Sequence, residues 1–208
     1  MKDLKQIDQE VLWHPFTQMQ SWEPLVIASG EGNYLIDTDG RRYLDNVSSL
    51  WCNLHGHRHP RLDRALREQL DRIAHATFLG LTHEPGIRLA QVLVEVAPRG
   101  LTRVFYSDSG STAVEIALKQ SFQYWQQRGR PSKQRFLRLG DAYHGDTLGA
   151  VGVGGIELFH RVFGPLLVRS IAIPTPAGTD GSDSLSRVEQ ELRTHGDDIA
   201  AFVLEPLI

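Results

Sequence analysis

The sequence predicts an α/β protein with a mostly parallel central sheet and helices on both faces, and three observations predict it. From Thr102 onward short apolar runs rich in β-formers alternate with stretches of helical period, the pattern of strands joined by right-handed crossovers. The 208 residues are 41% hydrophobic and 23% charged, enough to bury the core of one or two domains. Ahead of Thr102 the pattern is instead a small antiparallel meander followed by two amphipathic helices. The expected division is therefore an N-terminal segment over 1–55, part of a small domain, and the first part of a larger α/β domain over 56–208.

The elements follow in order. Residues 1–22 read as a short helix and an irregular segment whose Trp13-His14-Pro15-Phe16-Thr17-Gln18-Met19 run is too aromatic for a solvated tail. Leu25–Ala28 and Tyr34–Asp37 read as strands, with Asp39-Gly40 as a hairpin turn. His59-Pro60 opens a helix on which Leu62, Leu66, Leu70 and Ile73 recur at spacings of three and four. A second helix follows Pro85 and stops at Pro98-Arg99-Gly100. Val104–Tyr106 is read as a short buried strand, and Ala113, Ile116, Ala117, Gln120 and Tyr124 trace the next helix. Strands are expected at Phe136–Leu139, Val168–Ile173 and Ile199–Leu204, with a helix over Leu185–Arg193 and an exposed loop over Ala177–Ser182. A parallel-sheet protein rarely stops on a buried strand with its far face bare, so a further C-terminal part is expected past Ile208.

Composition narrows the function. Twenty-two basic against 25 acidic residues give a net charge of −3, without the basic footprint that nucleic acid or an anionic membrane attracts. Cys52, the single cysteine, rules out an internal disulfide or a Cys-rich metal site. The first residues lack the apolar stretch of a signal peptide, and no window reaches the roughly 18 apolar residues of a membrane helix. A cytoplasmic protein without nucleic-acid or membrane partners is expected.

Four segments can carry chemistry. In Tyr106-Ser107-Asp108-Ser109-Gly110-Ser111-Thr112-Ala113-Val114-Glu115 a strand ends in small polar residues and a helix begins at once, with Thr112 and Glu115 fitting a capping box. Such a start is either a plain N-cap or a phosphate cradle of free N–H groups. Neither a Walker lysine nor a complete G-x-G-x-x-G is present, and Gly152-Val153-Gly154-Gly155 fails the spacing. Asp141-Ala142-Tyr143-His144-Gly145-Asp146-Thr147 follows the strand Phe136–Leu139, where loops of a parallel sheet face the ligand crevice. Its tyrosine either stacks on a flat heterocycle or is half-buried in a turn. His55, His57 and His59 alternate but adjoin no carboxylate or thiol cluster, so no metal site is expected. Glu205, at the end of the last strand, is costly to bury unless it is paired or hydrogen-bonded.

In this order the segments resemble the class III pyridoxal-phosphate aminotransferases of fold type I. Trp13–Met19, Ser48-Ser49-Leu50-Trp51-Cys52-Asn53-Leu54-His55-Gly56-His57, Asp108–Ser111 and Tyr143–Thr147 resemble the branch that makes 7,8-diaminononanoate in biotin synthesis. The resemblance implies pyridoxal 5'-phosphate as cofactor, with Ser109, Gly110 and Ser111 at its phosphate, Tyr143 and His144 at its ring, and Glu205 supporting the ring's surroundings. It implies that Phe16, Leu50, Trp51 and Tyr143 line the substrate pocket. Phe16 stands where a Tyr can occur, and Leu50 where a Trp can.

The implied reaction is ping-pong transamination from S-adenosylmethionine to 8-amino-7-oxononanoate, in a homodimer. The alternatives are another class III aminotransferase, acting on ω-amino acids or polyamines, and a non-catalytic relic of the fold. The family's Asp at the pyridine nitrogen and its Schiff-base Lys are expected past Ile208, because Lys2, Lys5, Lys119 and Lys133 end no expected strand. The 208 residues alone are therefore expected to be inactive, to expose apolar surface and to self-associate.

Overall fold

A computed structural model describes residues 3–178 and 180–206. Met1, Lys2, Thr179, Leu207 and Ile208 lie outside the described residues, and with them the readings that fell on Lys2, on part of the 177–182 loop and on Ile208. The chain divides into two compact units, Met1–Gln91 and Val92–Ile208.

In the first unit α1 (Leu4–Val11) is started by Asp3, whose carboxylate accepts from the Lys5 N–H while the Gln6 side chain returns to the Asp3 N–H. This capping box satisfies donors that a helix start otherwise leaves open. Next come β1 (Ile27–Glu31), β2 (Tyr34–Asp37) and β3 (Arg42–Leu44), an antiparallel meander in the order β1-β2-β3. The first strand begins at Ile27 rather than Leu25. The Asp39-Gly40 turn forms as expected, with Gly40 at φ +82 donating to the Asp37 carbonyl. Buried Asp37 accepts from the N–H groups of Asp39 and Arg41 and from the Tyr43 hydroxyl, so its charge is stabilised within the hairpin.

A single turn, α2 (Ser48–Trp51), leads to α3 (Pro60–Leu70), with proline at its first position, and then to α4 (Glu84–Val96). Proline is favoured there because its missing N–H would be unpaired in any case. The stripe Leu62, Leu66 and Leu70 lies on one face of α3, as the periodicity predicts, but it is exposed.

The second unit is built around a parallel sheet. In chain order it contains α5 (Gly110–Gln127), β4 (Arg135–Leu139), α6 (Leu148–Val153), α7 (Glu157–His160), β5 (Ser170–Ile173), α8 (Ser182–His195) and β6 (Ile199–Val203). The strand order is β5-β4-β6, and both pairings are parallel. Successive strand residues point to opposite faces, and the two cores follow from that. Phe136 packs with Leu118 of α5, Val153 of α6 and Ala200. Leu137 packs with Ile171, Ile173 and Ile199, with Val188 of α8 against them. Helices thus cover both faces, and each fully buried Leu, Ile or Phe contributes roughly 1.5–3 kcal/mol. The Trp125 indole N–H donates to the Ala200 carbonyl at 2.7 Å and ties α5 to β6.

Two expectations are corrected. Val104–Tyr106 is not a strand: no ladder partner pairs with it among the described residues. The strand expected from Val168, β5, begins at Ser170. The glycine-rich α6 was not anticipated at all.

Candidate cofactor and substrate site

The carboxyl ends of β4 and β6 and the start of α5 meet in one place. Ser109 caps α5: its hydroxyl accepts from the Thr112 N–H at 3.2 Å, and the Thr112 hydroxyl accepts from the Ser109 N–H at 2.9 Å. The box pairs Ser109 with Thr112, which corrects the expected pairing of Thr112 with Glu115. Glu115 instead accepts from the Gly149 N–H at 2.7 Å and binds α6 to α5. The N–H groups of Gly110 and Ser111 precede the first intrahelical acceptor and meet none among the described residues. Open space surrounds Gly110, where an added Cβ would touch nothing within 4 Å. Two free donors at the positive end of an 18-residue helix make an anion site.

The loop after β4 is fastened beside this cradle. The Ser111 hydroxyl accepts from the Thr147 N–H at 3.0 Å and donates to the Thr147 hydroxyl at 2.9 Å. Gly145, at φ +114, lies so close to Ser111 that any side chain there would collide with it. At the other end of the loop the Tyr143 N–H donates to Glu205 at 2.9 Å. Glu205 thus acts on the backbone of the residue expected at the cofactor ring. The Tyr143 hydroxyl donates to Asp146 at 2.8 Å, and that carboxylate, with burial, pushes the tyrosine above its usual range. Burial pulls His144 below the ordinary histidine value, and Arg138 adds to this while Glu205 opposes it. Its Nε2 is buried without a hydrogen-bond partner, an orphan atom beside an open cradle.

The structure therefore brings together Ser109, Gly110, Ser111, Tyr143, His144 and Glu205. Thr147, Glu115 and Asp146 join them; the first two gave no sequence signal beyond their place in the motifs. A cavity of about 410 Å³ opens at the carboxyl edge, lined by Leu139, Thr175, Pro176, Ala177, Leu204, Glu205 and Pro206. Neither described lysine of the second unit, Lys119 or Lys133, stands at this edge. Lys5 is in α1 and Lys119 is exposed on α5. Lys133 is buried ahead of β4, where it donates to the carbonyls of Gly196 and Ile199 and lies over the Trp125 ring.

Phe16, Leu50 and Trp51 belong to the first unit, Phe16 in the segment after α1 and Leu50 and Trp51 together in the turn α2. All three have left-handed backbones, with φ of +52, +61 and +69, and all are exposed, at 85%, 67% and 75%. The conformation costs an ordinary residue about 1–2 kcal/mol and concentrates at ligand-facing segments. Phe16 follows a pinned segment in which Asp8 accepts from His14 and from the Trp22 indole at 3.0 and 3.1 Å. Of the three alternating histidines, His57 pairs with Asp45, while His55 and His59 face each other at 5.7 Å between ring centroids. No group of three or more potential ligands for a metal occurs among the described residues. No described helix is long and apolar enough to cross a membrane.

Comparison with known proteins agrees with this arrangement. The family model "Aminotransferase class-III" matches residues 17–208. An adenosylmethionine-8-amino-7-oxononanoate aminotransferase of Nitratidesulfovibrio vulgaris is 52% identical over 99% of the chain, and one of Geobacter sulfurreducens is 48% identical over 99%. The chain spans 41% and 48% of those two proteins, about half their length or less. The crystal structure of the enzyme of that name from Methanocaldococcus jannaschii superposes with a TM-score of 0.88 at 43% identity, covering 96% of this chain and 45% of that one. An omega transaminase from Pseudomonas jessenii in complex with PMP superposes with a TM-score of 0.88 at 29% identity, covering 100% of this chain and 49% of that one. A cradle and a tyrosine loop meeting at the carboxyl edge of a parallel sheet, in a chain this similar to such proteins throughout, have one explanation: the chain belongs to the class-III aminotransferases, with their fold-type I α/β architecture.

Proposed function

We propose that the whole protein is the aminotransferase of biotin synthesis that moves the amino group of S-adenosylmethionine to 8-amino-7-oxononanoate, giving 7,8-diaminononanoate. The observation that carries this reading is the 52% identity, over 99% of the chain, to a curated protein named for those two compounds. The residues present fit pyridoxal 5'-phosphate. The Gly110 and Ser111 N–H groups would hold its phosphate, with Ser109 fixing the helix start. Tyr143 would hold its ring, and the unpartnered His144 Nε2 would be available to it. Bound there, the cofactor supplies the electron sink for chemistry at the amine-bearing carbon.

The protein's own part is placement and charge. Glu205 holds the Tyr143 backbone, Asp146 holds its hydroxyl, and Ser111 fixes the far end of the same loop through Thr147. Tyr143 keeps its proton near neutral pH, and His144 is neutral there, so neither adds charge beside the ring. The same reading gives Phe16, Leu50 and Trp51 of the first unit, and Tyr143 of the second, each a substrate contact, and apolar side chains suit a long aliphatic chain. Neither Lys119 nor Lys133 stands at the carboxyl edge of the sheet, so this reading takes the amine that anchors the cofactor from elsewhere in the whole protein. The division into part of a small domain over 1–55 and part of the large domain over 56–208 belongs to the same proposal, as do a homodimeric, cytoplasmic enzyme and the absence of nucleic-acid and membrane partners.

The test is an assay of the product of the full coding frame with S-adenosylmethionine, 8-amino-7-oxononanoate and pyridoxal phosphate. Formation of 7,8-diaminononanoate is the expected result. Turnover of ω-amino donors with pyruvate, and none with this pair, would overturn the substrate assignment.

A further inference from the structure

We propose that Asp45 and His57 are positioning residues, which hold the turn Ser48–Trp51 so that Leu50 and Trp51 form a preset wall for an aliphatic amino substrate; this rests on the pocket role given to those two residues above. The turn is wound left-handed. Ser49 and Leu50 have φ/ψ of 47/53 and 61/59, and Ser48 and Trp51 have φ of +52 and +69. Four consecutive non-glycine residues in this region do not persist unless their surroundings impose it. Inside the turn, the Trp51 N–H donates to Val47 and the Cys52 N–H to Ser48.

The outside restraint is the Asp45 carboxylate. It accepts from the Ser49 N–H, from the Ser49 hydroxyl and from His57 Nε2, each at 2.8 Å. The two side chains are nearly buried, 5% exposed for Asp45 and 15% for His57. His57 is fixed in turn by the meander. Its backbone exchanges two hydrogen bonds with Gly32, at 3.2 and 2.7 Å, and its ring sits over Gly30, where an added Cβ would come within 2.7 Å of the imidazole. The Asp45 N–H donates to the Asn33 carbonyl at 2.9 Å. A continuous series of bonds therefore runs from the β1–β2 hairpin through His57 and Asp45 to Ser49.

Chemistry explains why the centre of the series is a carboxylate. Three groups converge on it, and a carboxylate accepts from all three with no donor of its own; an amide in its place would present an N–H that the Ser49 hydroxyl or the His57 ring would have to turn round to accept. The Ser49 bonds hold this carboxyl below the usual aspartate range, which agrees with a charge that stays on. The apex side chains of Leu50 and Trp51 are largely exposed, and this separates the device from ordinary loop packing. The restraint displays two large apolar groups to the outside.

Three variants test it: Asp45→Asn, His57→Phe, and Asp45→Asn combined with Ser48→Gly. Glycine takes the left-handed conformation without a penalty, so it relieves the conformation that the clamp imposes. In the whole protein, Asp45→Asn and His57→Phe are expected to speed chymotrypsin cleavage after Leu50 and Trp51 about tenfold through local opening, with other sites unchanged. In the whole enzyme each is expected to raise the KM for 8-amino-7-oxononanoate about tenfold, with kcat within about twofold. Adding Ser48→Gly to Asp45→Asn should bring both readouts back to within about threefold of wild type. Unchanged cleavage, cleavage that glycine does not reverse, or a lower melting temperature with KM unmoved would each overturn the proposal. A wild-type enzyme inactive on this substrate pair would overturn the assigned reaction instead, and the clamp would be decided by the digestion alone.

Discussion

The hydroxyl of Ser111 is bound twice to Thr147, once as acceptor from its N–H at 3.0 Å and once as donor to its hydroxyl at 2.9 Å. These 36 residues of separation are closed by one side chain on the first turn of α5. The helix start that can hold a phosphate and the loop that carries Tyr143 are therefore tied together by the Ser111 side chain. Preorganisation of this kind is what a site needs if binding is not to cost the ordering of its own loop.

Gly145 is where that tie is tightest. It has φ +114, and an added Cβ would collide with Ser111. Gly145→Ala is expected to destabilise the protein by about 2–4 kcal/mol, combining an incompatible backbone with overpacking. Urea unfolding would measure this. Gly110→Ala, in open space at a helical position, should be neutral or stabilise by up to about 1 kcal/mol in the same measurement.

Ser109 allows capping to be separated from phosphate binding. Ser109→Ala removes the cap and should cost about 1 kcal/mol. Ser109→Asp keeps a good N-cap and complements the helix dipole, yet sets a negative charge against the phosphate. The expected outcome is near-wild-type melting with affinity for pyridoxal phosphate reduced about tenfold or more, since charge repulsion of about 1.4 kcal/mol is a factor of ten. Fluorescence titration and thermal melting on the same variants would give both numbers.

Much of this arrangement was legible in the sequence, and the reasons differ by segment. α5 announces itself because small polar residues precede a helical run, although the capping partner was misread: Thr112 reciprocates Ser109, while Glu115 reaches Gly149, a contact no local pattern encodes. Leu148–Val153 was invisible as a helix because glycine disfavours one. It forms because Gly149 and Gly152 let α6 pack closely on Glu115 and Val168, so tertiary contact overrides propensity. Val104–Tyr106 has the composition of a strand, but a strand exists only through its neighbour. The left-handed turn at Ser48–Trp51 was hidden for the opposite reason, since no glycine marks it and its cause lies at Asp45 and His57.

Glu205 tests the loop from its other end. Its carboxylate accepts from the Tyr143 N–H at 2.9 Å, so Glu205→Ala leaves that donor unpaired. Affinity for pyridoxal phosphate is expected to fall about tenfold, in line with one charge-assisted hydrogen bond of about 1.5 kcal/mol. Glu205→Gln keeps an accepting oxygen and should stay within about threefold of wild type. Equal losses in both variants would mean that the charge, rather than the bond to Tyr143, is what the site uses.

His144 gives the site a pH dependence whose sign follows from burial. Its folded value lies below the ordinary one because burial disfavours the imidazolium, with Arg138 adding to the effect and Glu205 opposing it. The unfolded chain therefore takes up a proton more readily than the folded one. The stability this represents is fully present above the unfolded value of about 6.5 and is lost as pH falls from there toward the folded value. Asp37 and Asp45 are also shifted down, but their contributions fade only below about pH 4, where unfolded carboxylates begin to protonate. Between pH 7.5 and 5.5 the melting temperature should fall, and most of the fall attributable to His144 should vanish in His144→Gln, which cannot be protonated. Other histidines share the window, so the readout is the difference between wild type and variant. A variant whose melting profile runs parallel to wild type across that range would show that His144 is not the partly buried neutral base described above.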